Sequence, residues 1–368
     1  MYDGKTVGVV IPAYNEAKHV GEVIETIPTY VDRIYAVDDA STDETWGAIR
    51  EAASRQNGRA AARNGSDGTE YPAHVVPIRH ERNRGAGGAV KTGYARALED
   101  GMDVVAVMDG DGQMDPGHLE QIIKPVAAGR VTYAKGNRLT SSRDYATMSR
   151  WRLFGNVLLT MLTRIASGYW ELSDPQNGFT AISAEGLRTI RFDRLYDHYG
   201  FLNHVLFALN VNRQPIADVA HPARYGDEQS TIRYSSFIPR LSGLLARSFI
   251  ERIVRLYVVR QFHPIAVCYA LGAVVLVAGT TTGVYSVWSA GVDTFLGGMA
   301  STTVALLGLL LVLFGTWLDV LDNEGLVHHI GDLDSDSGGY ERDVADHRDI
   351  GVVHDGGTAT DRTEVDRR

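Results

Sequence analysis

Along the first third of the chain, apolar residues fall into short runs separated by stretches of helical spacing. Val7–Ile11 is a strand-length run ending at Pro12, and Ala17–Ile27 puts Val20, Val23, Ile24 and Ile27 on one helical face. Arg33–Val37 reads as a second strand. Ser41, followed three residues later by Glu44, reads as a capping box that opens a helix. His74–Ile78 predicts a third strand, Val90–Glu99 a helix and Val104–Met108 a fourth strand. Between Ala53 and Pro72, Gly, Asn, Ser and Arg accumulate, which predicts a surface loop before the third strand. Repeated β–α units up to about Val131 predict an α/β domain on a mostly parallel sheet covered by helices. Ligands in such sheets sit at the carboxyl ends of the strands. There the sequence carries Tyr14–Asn15–Glu16, Asp38–Asp39 and Asp109–Asp111.

The pattern changes after residue 236. Phe237–Phe262 sets Leu241, Leu244, Leu245, Ile253, Val254 and Leu256 among Arg240, Arg247, Arg252, Arg255 and Arg260. This basic amphipathic stretch suits an anionic membrane surface, although a core-packed surface helix carries the same pattern. Pro264–Val287 holds 24 residues without a charge and Leu296–Leu318 holds 23, each enough to span about 30 Å of hydrocarbon as a helix. Trp288 and Trp317 sit near the ends as interface anchors. Ser289–Phe295 has no Lys or Arg whereas the flank before Pro264 has several, so the turn is expected outside and both ends inside. The expected organisation is a cytoplasmic α/β domain over residues 1–235, interface helices over 236–263, two transmembrane helices over 264–321, and an acidic, disordered tail over 322–368. The first apolar run lacks a basic leader, so the N-terminal domain is expected to stay in the cytoplasm of a multi-pass membrane protein.

Composition refines this picture in two ways. Only five of the 36 basic residues are lysine (Lys5, Lys18, Lys91, Lys124 and Lys135), and acids exceed bases by nine. An acidic, lysine-poor chain suits a high-salt cytoplasm and suggests a halophilic archaeon; drift in a GC-rich genome is the alternative. Residues 322–368 hold 13 acids and 5 bases, so the excess charge belongs to the tail. The main domain is near neutral, and no nucleic-acid partner is expected. A single cysteine, Cys268, excludes an intrachain disulfide and multi-cysteine zinc sites.

The chemistry centres on Asp109–Gly110–Asp111–Gly112–Gln113, directly after an apolar strand. Alternate carboxylates on a turn can converge on a hard cation, with the Gln113 amide oxygen as a third ligand. Such an incomplete oxygen shell suits Mg²⁺ or Mn²⁺ bound together with a diphosphate. Alone, an Asp-x-Asp turn is weak evidence. Here it follows Val9–Val10–Ile11–Pro12–Ala13–Tyr14–Asn15–Glu16, Val37–Asp38–Asp39–Ala40–Ser41–Thr42–Asp43 and Asn83–Arg84–Gly85–Ala86–Gly87–Gly88–Ala89. With these four motifs in order, the sequence resembles the family 2 glycosyltransferases over about Lys5 to Tyr234. Asp-x-Asp-x-Gln looks most like the branch of dolichyl-phosphate mannose synthases and polyprenyl-phosphate glucosyltransferases.

The resemblance implies an A-type nucleotide-binding glycosyltransferase fold and an inverting, metal-dependent transfer. One hexose would pass from a GDP- or UDP-linked sugar to a polyprenyl (dolichyl) phosphate. Pro12, Tyr14 and Glu16 would line the nucleotide pocket, Asp38 or Asp39 would accept a hydrogen bond from base or ribose, and Gly88 would let the backbone approach the nucleotide. Asp109, Asp111 and Gln113 would hold the metal. Arg138, in Gly136–Asn137–Arg138, and Arg152 would bind phosphate groups of donor or acceptor. Asp174, in Ser173–Asp174–Pro175–Gln176–Asn177–Gly178–Phe179, would orient the acceptor or brace its loop. Other members use a carboxylate near here as general base, but a phosphate acceptor is largely a dianion at neutral pH and needs little such help. Tyr225–Ile232, flanked by Arg224 and Arg233, resembles a mobile loop near the active site. Processive polysaccharide synthases resemble the same domain but usually carry a Gln-x-x-Arg-Trp motif and more spans, both lacking here. A non-catalytic nucleotide-binding scaffold would be expected to have lost the metal carboxylates, which are present.

Overall fold

Strand β1 (Val7–Ala13) is buried at every position, as a central strand covered on both faces must be. Val7, Val9 and Ile11 feed the core on one face of the sheet, and Val10 feeds the core on the other. The computed structural model describes residues 1–63, 74–138, 150–221, 234–288 and 294–330, without the side chains of 150–154, 234–238 and 294–296. The other strands are β2 (Arg33–Asp38), β3 (Val75–Arg79), β4 (Val104–Val107), β5 (Tyr133–Asn137), β6 (Thr180–Ser183), β7 (Ile216–Ala220) and β8 (Val327–Ile330). They form one eight-stranded sheet in the order β3-β2-β1-β4-β6-β5-β7-β8. Every neighbouring pair is parallel except the two that involve β6.

Helices α1 (Val20–Thr26), α2 (Thr45–Arg63), α3 (Ala86–Glu99) and α4 (Leu119–Ala127) connect the first five strands. After them come α5 (Arg150–Ser167), α6 (Ala184–Ile190), α7 (Phe201–Val211) and α8 (Tyr234–Val254). A π-helical turn (Arg255–Arg260) then leads to α9 (Pro264–Trp288) and α10 (Thr294–Asp322).

Two local expectations change. The loop expected from Ala53 begins as helix, because α2 continues to Arg63. Between Ala53 and Arg63 the Ala, Arg and Gln residues are strong helix formers and outweigh the one glycine there, Gly58, a penalty of about 1 kcal/mol. Ser41 does not cap that helix. Its hydroxyl accepts the Asn15 N–H, while Asp43 accepts the Thr45 N–H at 3.0 Å.

The basic amphipathic stretch is helical, but most of its apolar stripe faces inward. Leu241 and Leu245 pack with Ala166 of α5, and Ile253 and Leu256 pack with Ile265. Exposed instead are Ile250, Val254, Val258, Val259 and Phe262. Arg252, read as one of the surface cations, is fully buried against Asp319 of α10.

Both α9 and α10 are long and apolar enough to cross a membrane. Side chains such as Val274, Val277, Leu306 and Leu310 are exposed, so these are not core helices of a globular domain. They pack on each other through glycine. A Cβ on Gly272 would lie 2.9 Å from the Val312 nitrogen, and Gly279 and Gly308 leave no more room against Ala305 and Leu276. Small residues at such a contact let the two backbones approach this closely.

The chain then returns to the sheet. Val327–Ile330 pairs in parallel with Ile216–Val219. The tail expected from residue 322 is therefore part of the folded unit as far as Ile330.

Candidate functional site

The site is assembled where β1, β2 and β4 end. Gly110 N–H donates to the Pro12 carbonyl and Asp39 N–H to the Ala13 carbonyl, which ties the Asp-x-Asp turn and the Asp38–Asp39 loop to the same strand end. Asn15 and Ala40 both have φ of +60°. For Ala40 this left-handed conformation costs about 1–2 kcal/mol, held by the bonds around it. Asn15 Oδ1 accepts the Thr42 N–H, and Thr45 Oγ1 accepts the Glu16 N–H, so the two loops brace each other. Pro12 is buried beneath them and Tyr14 is 46% exposed above.

The adjacent aspartates differ in their bonding. Asp39 accepts from His80 Nδ1 at 2.7 Å, Arg84 N–H at 2.8 Å and Gly85 N–H at 2.7 Å. Its carboxylate is thereby committed to holding the Gly-rich loop. Asp38 Oδ1 accepts the Ser41 N–H. Asp38 Oδ2 is buried and has no hydrogen-bond donor among the described residues; Arg79 Nε stands 3.2 Å away, in ion-pair range without hydrogen-bond geometry. The Arg79 guanidinium also lies 5.7 Å from the centre of the Trp46 ring. Sequence reading passed over Arg79 and His80, although the end of β3 belongs to the same row of strand ends.

The Gly-rich loop also packs against a later segment of the chain. A Cβ on Gly87 would lie 2.8 Å from the Asp197 and Tyr196 carbonyls, and Gly88 N–H donates to Asp197 O. The close approach that Gly85 and Gly87 allow is to the chain's own 196–201 segment, which Lys91 also grips through the Leu195 carbonyl and Asp197, whereas a Cβ on Gly88 would meet Arg84.

On the turn after β4, Asp111 Oδ1 accepts the Gln113 N–H at 2.9 Å. Asp109, Asp111 and Gln113 are all partly exposed. Gly178 faces this turn. A Cβ there would fall 2.8 Å from Asp109 Oδ2 and 3.3 Å from the Met114 methyl. The Ser173–Phe179 segment is thus brought against the Asp-x-Asp turn, an adjacency that sequence order alone does not contain.

Four residues earlier, Asp174 is buried and accepts from Arg138 Nε at 2.9 Å. Burial alone would raise its pKa. The nearby charges of Lys135 and Arg138, with the Arg138 hydrogen bonds, outweigh burial and hold the carboxyl below the usual carboxylate range. Beneath them Lys135 pairs with Asp218 at 3.2 Å, both fully buried. Asp218 also accepts from Asn137 Nδ2 and the Ser173 N–H, which fixes the segment to the end of β5. His221 packs edge-on against Phe179 and lies 2.9 Å from Asn177 Nδ2. Lys135 and His221 were not singled out from sequence; a lysine within a strand-like run was the available signal for the first.

Arg152 lies on α5 with its side chain outside the described residues, and Arg224, Arg233 and the 225–232 segment lie wholly outside them. Among the described residues no three His, Cys, Asp or Glu side chains converge as a metal-holding group. The donors at the turn are two carboxylates and an amide. That oxygen set fits a hard cation whose remaining ligands come from a diphosphate.

The model of glycosyl transferase family 2 matches residues 8–191, half of the chain and all of the motif positions up to Gly178. The chain belongs to glycosyl transferase family 2. The UDP-N-acetylglucosamine–dolichyl-phosphate N-acetylglucosaminyltransferase of Methanococcus voltae is 30% identical over 216 residues, 58% of this chain and 84% of that one. The undecaprenyl-phosphate mannosyltransferase of Micrococcus luteus is 27% identical over 206 residues, 52% of this chain and 72% of that one. A crystal structure of glucosyl-3-phosphoglycerate synthase from Mycobacterium tuberculosis, with phosphoglyceric acid, aligns at 19% identity and a TM-score of 0.47, covering 68% and 80% of the two chains. The resemblance read from the four motifs is borne out, and the sheet is that of the A-type glycosyltransferase fold expected from it, mostly parallel with β6 alone reversed between β4 and β5.

Proposed function

We propose that this family 2 glycosyltransferase moves a single sugar, a hexose or its N-acetylamino form, from a nucleoside diphosphate to a polyprenyl phosphate, with inversion at the anomeric carbon. The observation that carries this reading is the convergence of the Asp109–Asp111 turn, Gly178 and the Asp174–Arg138 pair at strand ends, in a chain that also holds two apolar, outward-facing helices. Polyprenyl phosphates in the names of the Methanococcus and Micrococcus relatives support the acceptor class. The exposed apolar residues of α8 and the π-helical turn, with Val157, Leu158 and Met161 of α5, support a cytoplasmic domain seated on the cell membrane.

In this reading Asp38 receives the base or ribose, since its Oδ2 has an acceptor site to give, and Asp39 serves as a brace for the Gly-rich loop. Pro12, Tyr14 and Glu16 line the same pocket. Asp109, Asp111 and the Gln113 amide would hold Mg²⁺ or Mn²⁺, which when bound neutralises charge growing on the departing nucleoside diphosphate. Arg138 presents a planar fork to phosphate, with Arg152 as its companion.

Asp174 orients Arg138 rather than taking a proton. A carboxyl held low is a weak base, and the acceptor's second ionisation near pH ~6 already supplies the nucleophile. The sign follows from the direction of the shift. Whatever stability Asp174 adds is present above its unfolded value near pH ~4 and fades as pH falls through the lower folded value. The profile of kcat/KM is therefore expected to keep its acidic limb near pH ~6 in Asp174→Asn, with lower activity throughout. Movement of that limb in the variant would make Asp174 a base.

The reading is tested by a radiolabelled transfer assay on membranes holding the full chain. Dolichyl phosphate and Mg²⁺ or Mn²⁺ are supplied with GDP-mannose, UDP-glucose or UDP-N-acetylglucosamine. Label in an organic-soluble, acid-labile monosaccharide lipid is expected from one donor. Label in a polymer, or none from any donor despite donor binding, would reject the acceptor assignment.

A further inference from the structure

The only ion pair with both partners fully buried outside the site joins Arg252 of α8 to Asp319, one turn before the end of α10, among the described residues. Arg252 Nη1 and Nη2 donate to the two Asp319 oxygens at 2.8 and 2.7 Å, a bidentate fork. The same guanidinium donates to the Ile165 and Ala166 carbonyls at the end of α5. Those carbonyls are the unsatisfied negative end of a helix. The pocket is built for this arginine. Gly168, at φ +81°, closes α5, and a Cβ there would stand 2.8 Å from Arg252 Nη1.

Around the pair lies a connected shell. Tyr257 hydroxyl donates to Asp319 or Asp322, and Asn323 Nδ2 reaches both Tyr257 and Asp319. From the α/β domain, Asn210 donates to Asn323, and Arg213 grips Asp322 and the Asp322 carbonyl. One polar cluster therefore ties the apolar hairpin to α5, α7 and α8.

A buried ion pair adds little net stability, because desolvation offsets attraction. What it does supply is direction: its geometry is satisfied in one arrangement and poorly in others. Here the arrangement set is that of α10 against the helix bearing Val157, Leu158 and Met161. We propose that Arg252 and Asp319, with Tyr257 and Asn323, are positioning residues that fix the pose of the catalytic domain on the membrane and so present its site to a lipid-borne phosphate. This rests on the membrane acceptor reading above.

The test uses the full chain in vesicles of neutral and anionic phospholipid. The double variant Arg252→Met/Asp319→Leu removes the directional bonds while filling the space, whereas Arg252→Met alone leaves a buried carboxylate and serves as the unfolding control. A fluorophore at Val157→Cys, in a Cys268→Ser background, is quenched by spin-labelled lipid when α5 touches the bilayer. In the double variant quenching is expected to fall by at least half, with donor binding unchanged. Its kcat/KM for a long polyprenyl phosphate in the vesicle is expected to drop at least tenfold. For a short, water-soluble prenyl phosphate it should stay within twofold. Equal losses on both acceptors, or unchanged quenching, would overturn the proposal. If the unmodified chain transfers sugar to neither acceptor, the acceptor reading fails, and the quenching result alone decides the positioning role.

Discussion

Asp111→Ala is expected to lower sugar transfer by at least about 10²–10³-fold, the loss that follows removal of one group stabilising charge on a departing anion. The argument has two parts. Asp111 is one of two carboxylates on the turn after β4, so in the proposed metal role its removal would leave a hard cation with a single anionic protein ligand. It also holds the turn through the Gln113 N–H. Asp111→Asn separates these, because an amide oxygen can still accept from Gln113 while the charge is gone. Initial rates at saturating donor, with Mg²⁺ and Mn²⁺ titrated, should show both variants crippled alike while thermal unfolding stays near that of the parent. Turnover close to normal in either would remove the metal from Asp111.

The second large effect is expected from a residue with no side chain. Gly178→Val would push a branched Cβ to within 2.8 Å of Asp109 Oδ2, with Met114 closing the other side. Both contact atoms end partly exposed side chains, so the clash is relieved by turning the Asp109 carboxylate away from the position proposed for it on the turn. Transfer should fall about 100-fold, the scale reached when a catalytic group is displaced by about an ångström. Gly178→Ala should lie between Val and the parent. Because the clash is local, donor-independent unfolding should shift far less than activity. A Gly178→Val variant with full activity would mean that Asp109 is not held where the reaction needs it.

The strands were legible because a buried parallel sheet writes itself as short apolar runs, and β1, β2 and β4 begin where those runs do. The Asp-x-Asp turn was legible for the same reason: it follows such a run. What was not legible depended on partners far apart in sequence. The two neighbouring aspartates look equivalent as letters, and only the donors from residues 80–85 distinguish them. In the Gly-rich loop, the letters do not show that Gly85 and Gly87 also accommodate residues more than a hundred positions later. In the amphipathic stretch, periodicity marked an apolar stripe but not what covers it. Leu241 and Leu245 found a protein partner, and Arg252 could be told from its surface neighbours only by Asp319, which lies beyond an entire apolar hairpin. Charge patterning identifies arginines; it does not say which one is paired.

Strand β8 has a consequence for how the molecule is made. Its partner β7 is synthesised before α9 and α10, and β8 after them. A nascent chain therefore carries a sheet with an open parallel edge at β7 until both apolar helices have left the ribosome and found their environment. Placement of the apolar hairpin and closure of that edge are therefore steps of one assembly process. A truncation after residue 235 would leave the edge permanently unpaired and prone to pairing with another copy.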